Sequence, residues 1–213
     1  VEVRTLQVDG IERRYLIALP RAAKVPTPTV LVFPGAGGTA ESARRLGLEP
    51  HADRRGLILV YAQGVRRNWS GERDLAYVRA VIEDVARRDR ADPRRVFATG
   101  MSDGGFFVGA LACKTDLLQG IAPIAATART GTLAHCSPRR PLSVLLIHGT
   151  ADRPPGFEFW AQRNGCQIPR VTGRRRAECP GEIKVEFYRI TGGGNAWPAQ
   201  ASALVVDFFA SLA

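Results

Sequence analysis

The segment Val96-Phe97-Ala98-Thr99-Gly100-Met101-Ser102-Asp103-Gly104-Gly105 joins an apolar run to a serine set between two glycines. Val96 to Thr99 predicts a short buried strand, and Asp103 to Cys113 predicts a helix. Gly100-x-Ser102-x-Gly104 therefore sits where a strand turns directly into a helix. In so tight a joint the serine takes a strained backbone conformation that lifts its hydroxyl off the sheet. A side chain at either glycine would collide with neighbouring backbone. Ser102 is thus the expected nucleophile.

The flanking chain supplies the sheet that such a joint needs. Val3 to Val8 and Arg13 to Leu19 read as two strands joined through Asp9-Gly10, a strong hairpin signal. Thr29 to Phe33 reads as a buried strand, followed by one helix running to about Arg55, where Gly56 stops it. Leu57 to Tyr61 is the next expected strand. Leu75, Val78, Val81, Ile82 and Val85 recur at helical spacing up to Arg88, and Asp92-Pro93 should break that helix. Strands are expected at Ile121 to Ala125, Ser143 to Ile147 and Ile183 to Arg189, and helices at Phe157 to Asn164 and Ala201 to Leu212. An antiparallel start followed by alternating strand and helix implies a single α/β domain over residues 1–213, a mostly parallel sheet with helices on both faces. In such sheets ligands bind beyond the C-terminal ends of the strands.

A serine hydroxyl needs a base, usually a histidine oriented by an acid, and on this architecture the partners follow in the order Ser, acid, His. Asp152, in His148-Gly149-Thr150-Ala151-Asp152 just past a strand, is the expected acid. No histidine follows it: His51, His135 and His148 all precede Asp152. Where a loop should present the base, the chain reads Gly192-Gly193-Gly194-Asn195-Ala196-Trp197-Pro198.

These stretches, with Leu111-Ala112-Cys113, Ile121-Ala122-Pro123, Ile147 to Asp152, Phe159-Trp160-Ala161 and Asn164-Gly165-Cys166, resemble the polyhydroxybutyrate depolymerase and feruloyl esterase group of secreted α/β-hydrolases. They cover most of the chain in the family's order. The resemblance implies an α/β-hydrolase fold, Ser102 as nucleophile, Asp152 as acid, and the base at the position held here by Asn195. Asparagine fits the space of a histidine but takes up no proton at neutral pH. Three explanations stand side by side: Asn195 disables the site, another histidine such as His148 serves, or the protein has become a binder. The resemblance also implies a polyester or hydroxycinnamate ester as substrate and no metal or organic cofactor.

The negative charge that develops on the carbonyl oxygen needs backbone N–H donors. Asp103 and the Gly35-Ala36 pair after the third strand are expected to supply them. The resembled family often has histidine where this chain has Pro34, and asparagine where it has Asp103. A carboxylate turned inward at Asp103 would oppose a developing oxyanion. Trp69 and Trp197, on loops at the same end of the sheet, are expected to line the acyl or aromatic pocket. Gly35-Ala36-Gly37-Gly38-Thr39-Ala40 also fits a dinucleotide fingerprint, but that requires an acid at the end of the next strand, which here reads Tyr61-Ala62-Gln63. The loops around Gly71 to Asp74, Arg153 to Gly156 and Pro198 to Ala201 read as short for the family.

Composition bounds the rest. The 213 residues are 45% hydrophobic, enough for a packed core, and no apolar run reaches the roughly 18 residues that a membrane span needs. Thirty basic against 20 acidic residues give a net charge of +10, almost all from arginine. The arginines are spread as pairs such as Arg13-Arg14, Arg44-Arg45 and Arg66-Arg67, which reads as solvated surface rather than a nucleic-acid site. Cys113, Cys136, Cys166 and Cys179 form no C-x-x-C motif. Four cysteines allow three pairings; joining sequence neighbours is preferred, which points to an oxidising compartment and a secreted, monomeric protein whose signal peptide is already gone.

Overall fold

The computed structural model describes residues 1–126, 136–149, 156–168, 175–191 and 196–213. Its strands are β1 (Glu2–Val8), β2 (Ile11–Ala18), β3 (Thr27–Phe33), β4 (Ile58–Ala62), β5 (Ala91–Met101), β6 (Gly120–Ile124), β7 (Ser143–Gly149), β8 (Arg175–Ala177) and β9 (Val185–Ile190). The helices among the described residues are α1 (Ala40–Arg44), α2 (Glu49–Arg55), α3 (Gly71–Asp89), α4 (Asp103–Lys114), α5 (Phe157–Arg163) and α6 (Ala201–Ala210). The strands form one sheet in the order β1-β2-β4-β3-β5-β6-β7-β9-β8. The run from β4 through β9 is parallel, while β1, β2 and β8 join it antiparallel.

The hairpin forms as Asp9-Gly10 dictates. Both residues take positive φ, 50° and 76°, and Val8 pairs with Ile11. The central strands are buried along their whole length because helices cover both faces. Alternate residues feed two separate cores. Leu31, Ala98, Val144 and Leu146 face α3, α4 and α5, where Val81, Val85, Leu111 and Trp160 meet them. Val30, Val32, Phe97, Leu145 and Ile147 face α1, α2 and α6, where Ala43, Ala52, Val205 and Phe209 meet them. Burying a side chain such as Phe97 or Leu111 contributes about 1.5–3 kcal/mol.

Several expectations change in detail. The single helix expected up to Arg55 is two, because Gly47 turns left-handed at φ 79° and Pro50 then opens α2. Asp92-Pro93 does not break α3. That helix ends two residues earlier, capped by Arg90 at φ 57°, and Asp92-Pro93 lie at the start of β5 instead. Gly71 to Asp74 is the first turn of α3, not a loop. The edge strand β8 is too short and too arginine-rich to announce itself.

Two arginines are structural, and one of them, Arg13, was expected at the surface. Arg13 is buried, donates to Asp74 at 2.6 Å and lies 3.9 Å above the Tyr77 ring. Arg4 is buried against Asp89 at 2.5 and 2.9 Å. With the Tyr15 hydroxyl donating to Asp84 at 2.6 Å, they seam the hairpin to α3. Disulfides join Cys113 to Cys136 and Cys166 to Cys179, the neighbour pairing. Each closes a short loop and contributes about 3 kcal/mol by the chain-entropy estimate. No helix among the described residues is long and apolar enough to cross a membrane.

Candidate active site

Ser102 follows directly on β5 and precedes α4, with φ 51° and ψ −117°. Holding a non-glycine residue there costs about 1–3 kcal/mol. The surroundings enforce it: Ser102 N–H donates to Ile124 O at 3.0 Å, and Ser102 O accepts from Phe106 N–H at 2.9 Å. The glycines do what the motif requires of them. A Cβ on Gly100 would lie 2.6 Å from the Gly104 carbonyl carbon, and one on Gly104 would strike Phe33 O and lie 2.6 Å from Pro34 O. Even Gly105 has no room, since a Cβ would come within 2.7 Å of Ala126 Cβ.

The loop after β3 passes beside this joint. A Cβ on Gly35 would stand 3.3 Å from Met101 O and 3.7 Å from Ser102 Cβ. Gly37 and Gly38 donate their N–H groups to Arg67 O and Gly35 O, whereas the Ala36 N–H takes no backbone acceptor among the described residues. The Asp103 N–H is at the N-terminus of α4, where the helix dipole favours negative charge. The Asp103 carboxylate accepts from the Trp69 backbone N–H at 3.3 Å. Gly35 from the loop after β3 and Asp103 at the start of α4 thus both lie beside the serine.

The two tryptophans do not share a surface. Trp69 packs with the α3–α4 core, stacked on Phe107 at 5.0 Å and edge-on to Phe33 at 5.0 Å, with its indole N–H donating to Pro34 O at 2.9 Å. Trp197 packs with the opposite core and donates to Ser202 Oγ at 2.9 Å, which in turn donates to Leu46 O. Both indoles are partly buried anchors with their N–H groups committed. The aromatic group of Phe33, Trp69 and Phe107 carried no sequence signal, because its members are far apart in the chain.

Asp152 and Asn195 lie outside the described residues, as does His135. In the chain they follow β7 and β9, the strands beyond β5 and β6 in the sheet. His148 lies within β7 and is only 1% exposed. His51 stands on α2, its Nδ1 3.0 Å from Arg54.

No protein-family model matches the chain. A curated relative, "Putative esterase NocK" of Nocardia uniformis subsp. tsuyamanensis, is 35% identical over 92% of this chain and 73% of its own length. The chain belongs to the same esterase family, on an α/β-hydrolase fold. Feruloyl esterase B of Piromyces equi is 26% identical over 58% of the chain, which spans only 29% of that protein. Among solved structures, the acetyl xylan esterase from Aspergillus awamori superposes with a TM-score of 0.77 over 99% of this chain and 100% of its own, at 13% identity, a likeness of fold. The NocK alignment spans 253 positions, more than the 213 residues of this chain, so that relative carries internal segments that this esterase family member lacks.

Proposed function

We propose that this chain is a serine carboxylic-ester hydrolase built to act through an acyl-enzyme on a polyester or hydroxycinnamate-type ester. One observation carries the reading: Ser102 is held at φ 51° and ψ −117° between β5 and α4 in a family of esterases. In the proposed reaction Ser102 Oγ attacks the ester carbonyl carbon and its proton leaves to a base. The carbonyl oxygen takes the negative charge and is met by N–H groups of Gly35 or Ala36 and of Asp103. The C–O bond to the alcohol then breaks, the alcohol departs with a proton, and water releases the acid from Ser102 by the same path in reverse.

Asp152 is assigned as the acid and Asn195 as the occupant of the base position. A triad without its base keeps only the rate given by binding and the oxyanion hole, roughly 10³–10⁴ over water. The chain is therefore read as a disabled esterase. The second reading, favoured by Asn195 alone, is a non-catalytic member that binds an ester, glycan or polymer in the same cleft. Two disulfides support an oxidising, extracytoplasmic location. A single monomeric catalytic domain completes the proposal.

The test needs no turnover. Diethyl p-nitrophenyl phosphate should transfer one diethylphosphoryl group to the Asn195→His chain, where a base is restored to activate Ser102, with release of p-nitrophenolate, read by intact mass. The Ser102→Ala chain should take up none. Labelling that persists in Ser102→Ala would overturn the assignment.

A further inference from the structure

Residues 64–70 link β4 to α3, and three hydrogen bonds tie this link to the segments that carry the proposed oxyanion donors. Arg67 O accepts from Gly37 N–H at 2.8 Å. The Trp69 indole N–H donates to Pro34 O at 2.9 Å. The Trp69 backbone N–H donates to Asp103 Oδ2 at 3.3 Å. Pro34 and Gly37 bracket Gly35-Ala36, and Asp103 is the residue after the serine. One short link thus holds both halves of the hole. It does so under strain, since Arg66 and Arg67 both take left-handed φ, 52° and 60°. The Trp69 ring cannot drift, because Phe33, the last residue of β3, and Phe107 on α4 hold it at 5.0 Å on two sides.

We infer that Trp69 is a positioning residue that sets the separation between the Gly35-Ala36 amides and the Asp103 amide. This rests on the reading of those groups as the oxyanion hole. Two donors stabilise one oxygen only when both lie about 2.7–3.1 Å from it. The segments that carry them are distant in sequence, so no local turn fixes that spacing. Trp69 spans the gap with its two N–H groups, one to each side. The Asp103 carboxylate, a liability if it faced the oxyanion, instead accepts the second tie. Trp69 acts through the backbone of its neighbours and need not touch substrate.

The experiment uses the full chain carrying Asn195→His and measures kcat and KM for p-nitrophenyl esters from acetate to hexanoate. Trp69→Phe keeps the stack on Phe107 but loses the indole N–H. It should lower kcat about 10- to 100-fold, leave KM within about twofold, and do so equally at every acyl length. Asp103→Ala should lower kcat similarly, Asp103→Asn, which keeps an acceptor, should lose less, and Trp69→Phe with Asp103→Ala should cost less than the product of the two. Thermal unfolding of each variant separates these losses from misfolding, and if Trp69→Phe does not fold, the Asp103 pair carries the test. An unchanged kcat in the folded variants, or a change confined to KM and acyl-length preference, overturns the inference. An Asn195→His chain without turnover, or turnover that survives Ser102→Ala, overturns the esterase reading and this inference with it.

Discussion

Ser102 is held by a strand, two glycines and a helix within one short stretch. The same stretch predicts how it fails. Gly104→Ala places a methyl group against Phe33 O and Pro34 O, which are backbone atoms at the end of β3 and cannot swing aside. Overpacking of this kind costs about 1–3 kcal/mol. Gly104→Ala is expected to lower the unfolding midpoint by several degrees, whereas Gly109→Ala on the same helix, where a Cβ meets nothing within 4 Å, leaves it unchanged or raised. Circular dichroism melts of the two variants check this. Trp69 was harder to read. Its position suggested a pocket, but its partners Pro34, Phe107 and Asp103 come from other parts of the chain, and only the fold brings them together. Arg13 misled for a related reason. A doublet of arginines looks solvated until the partner, Asp74 on α3, is known.

At the scale of elements, the strands and helices that bury a continuous apolar pattern were legible, β3, β7 and α3 above all. Elements set by punctuation or by pairing were less so. Gly47 splits α1 from α2, and β8 exists only because β9 offers it an edge. The seam between the hairpin and α3 is made of charge, and it has a pH signature. Burial pushes the Asp84 carboxyl up, but the Tyr15 hydroxyl, Arg87 and Arg88 together pull it below its ordinary value of 3.8. Burial first, and then Asp84, pushes the Tyr15 phenol up, so it stays protonated as the donor. A depressed carboxyl adds stability above its unfolded value, and that stability is lost as pH falls below 3.8 through the folded value. Denaturant unfolding of the parent should therefore weaken over this acid range. Asp84→Asn should be less stable at neutral pH and show a shallower acid dependence. An identical slope in the two chains would remove Asp84 from this role.

For the molecule as a whole, the mostly parallel sheet, its two helical layers and the preferred disulfide pairing agree with the sequence reading, and relatives named as esterases agree with an ester-hydrolase lineage. Arg4 and Arg13 are neutralised by Asp89 and Asp74 where the hairpin meets α3, so the net charge of +10 is carried by other basic residues. The acid and the base position could be read only from motif order, since Asp152 and Asn195 fall outside the described residues. The account's central claim is that an intact esterase framework surrounds Ser102 and lacks only a proton acceptor at position 195. Hydrolysis of p-nitrophenyl butyrate by the parent chain and by Asn195→His tests it most directly. The account predicts a parent rate near background and a rise of about 10³-fold or more in Asn195→His, abolished by adding Ser102→Ala. A parent that already turns over through Ser102, with no gain from the histidine, would contradict it.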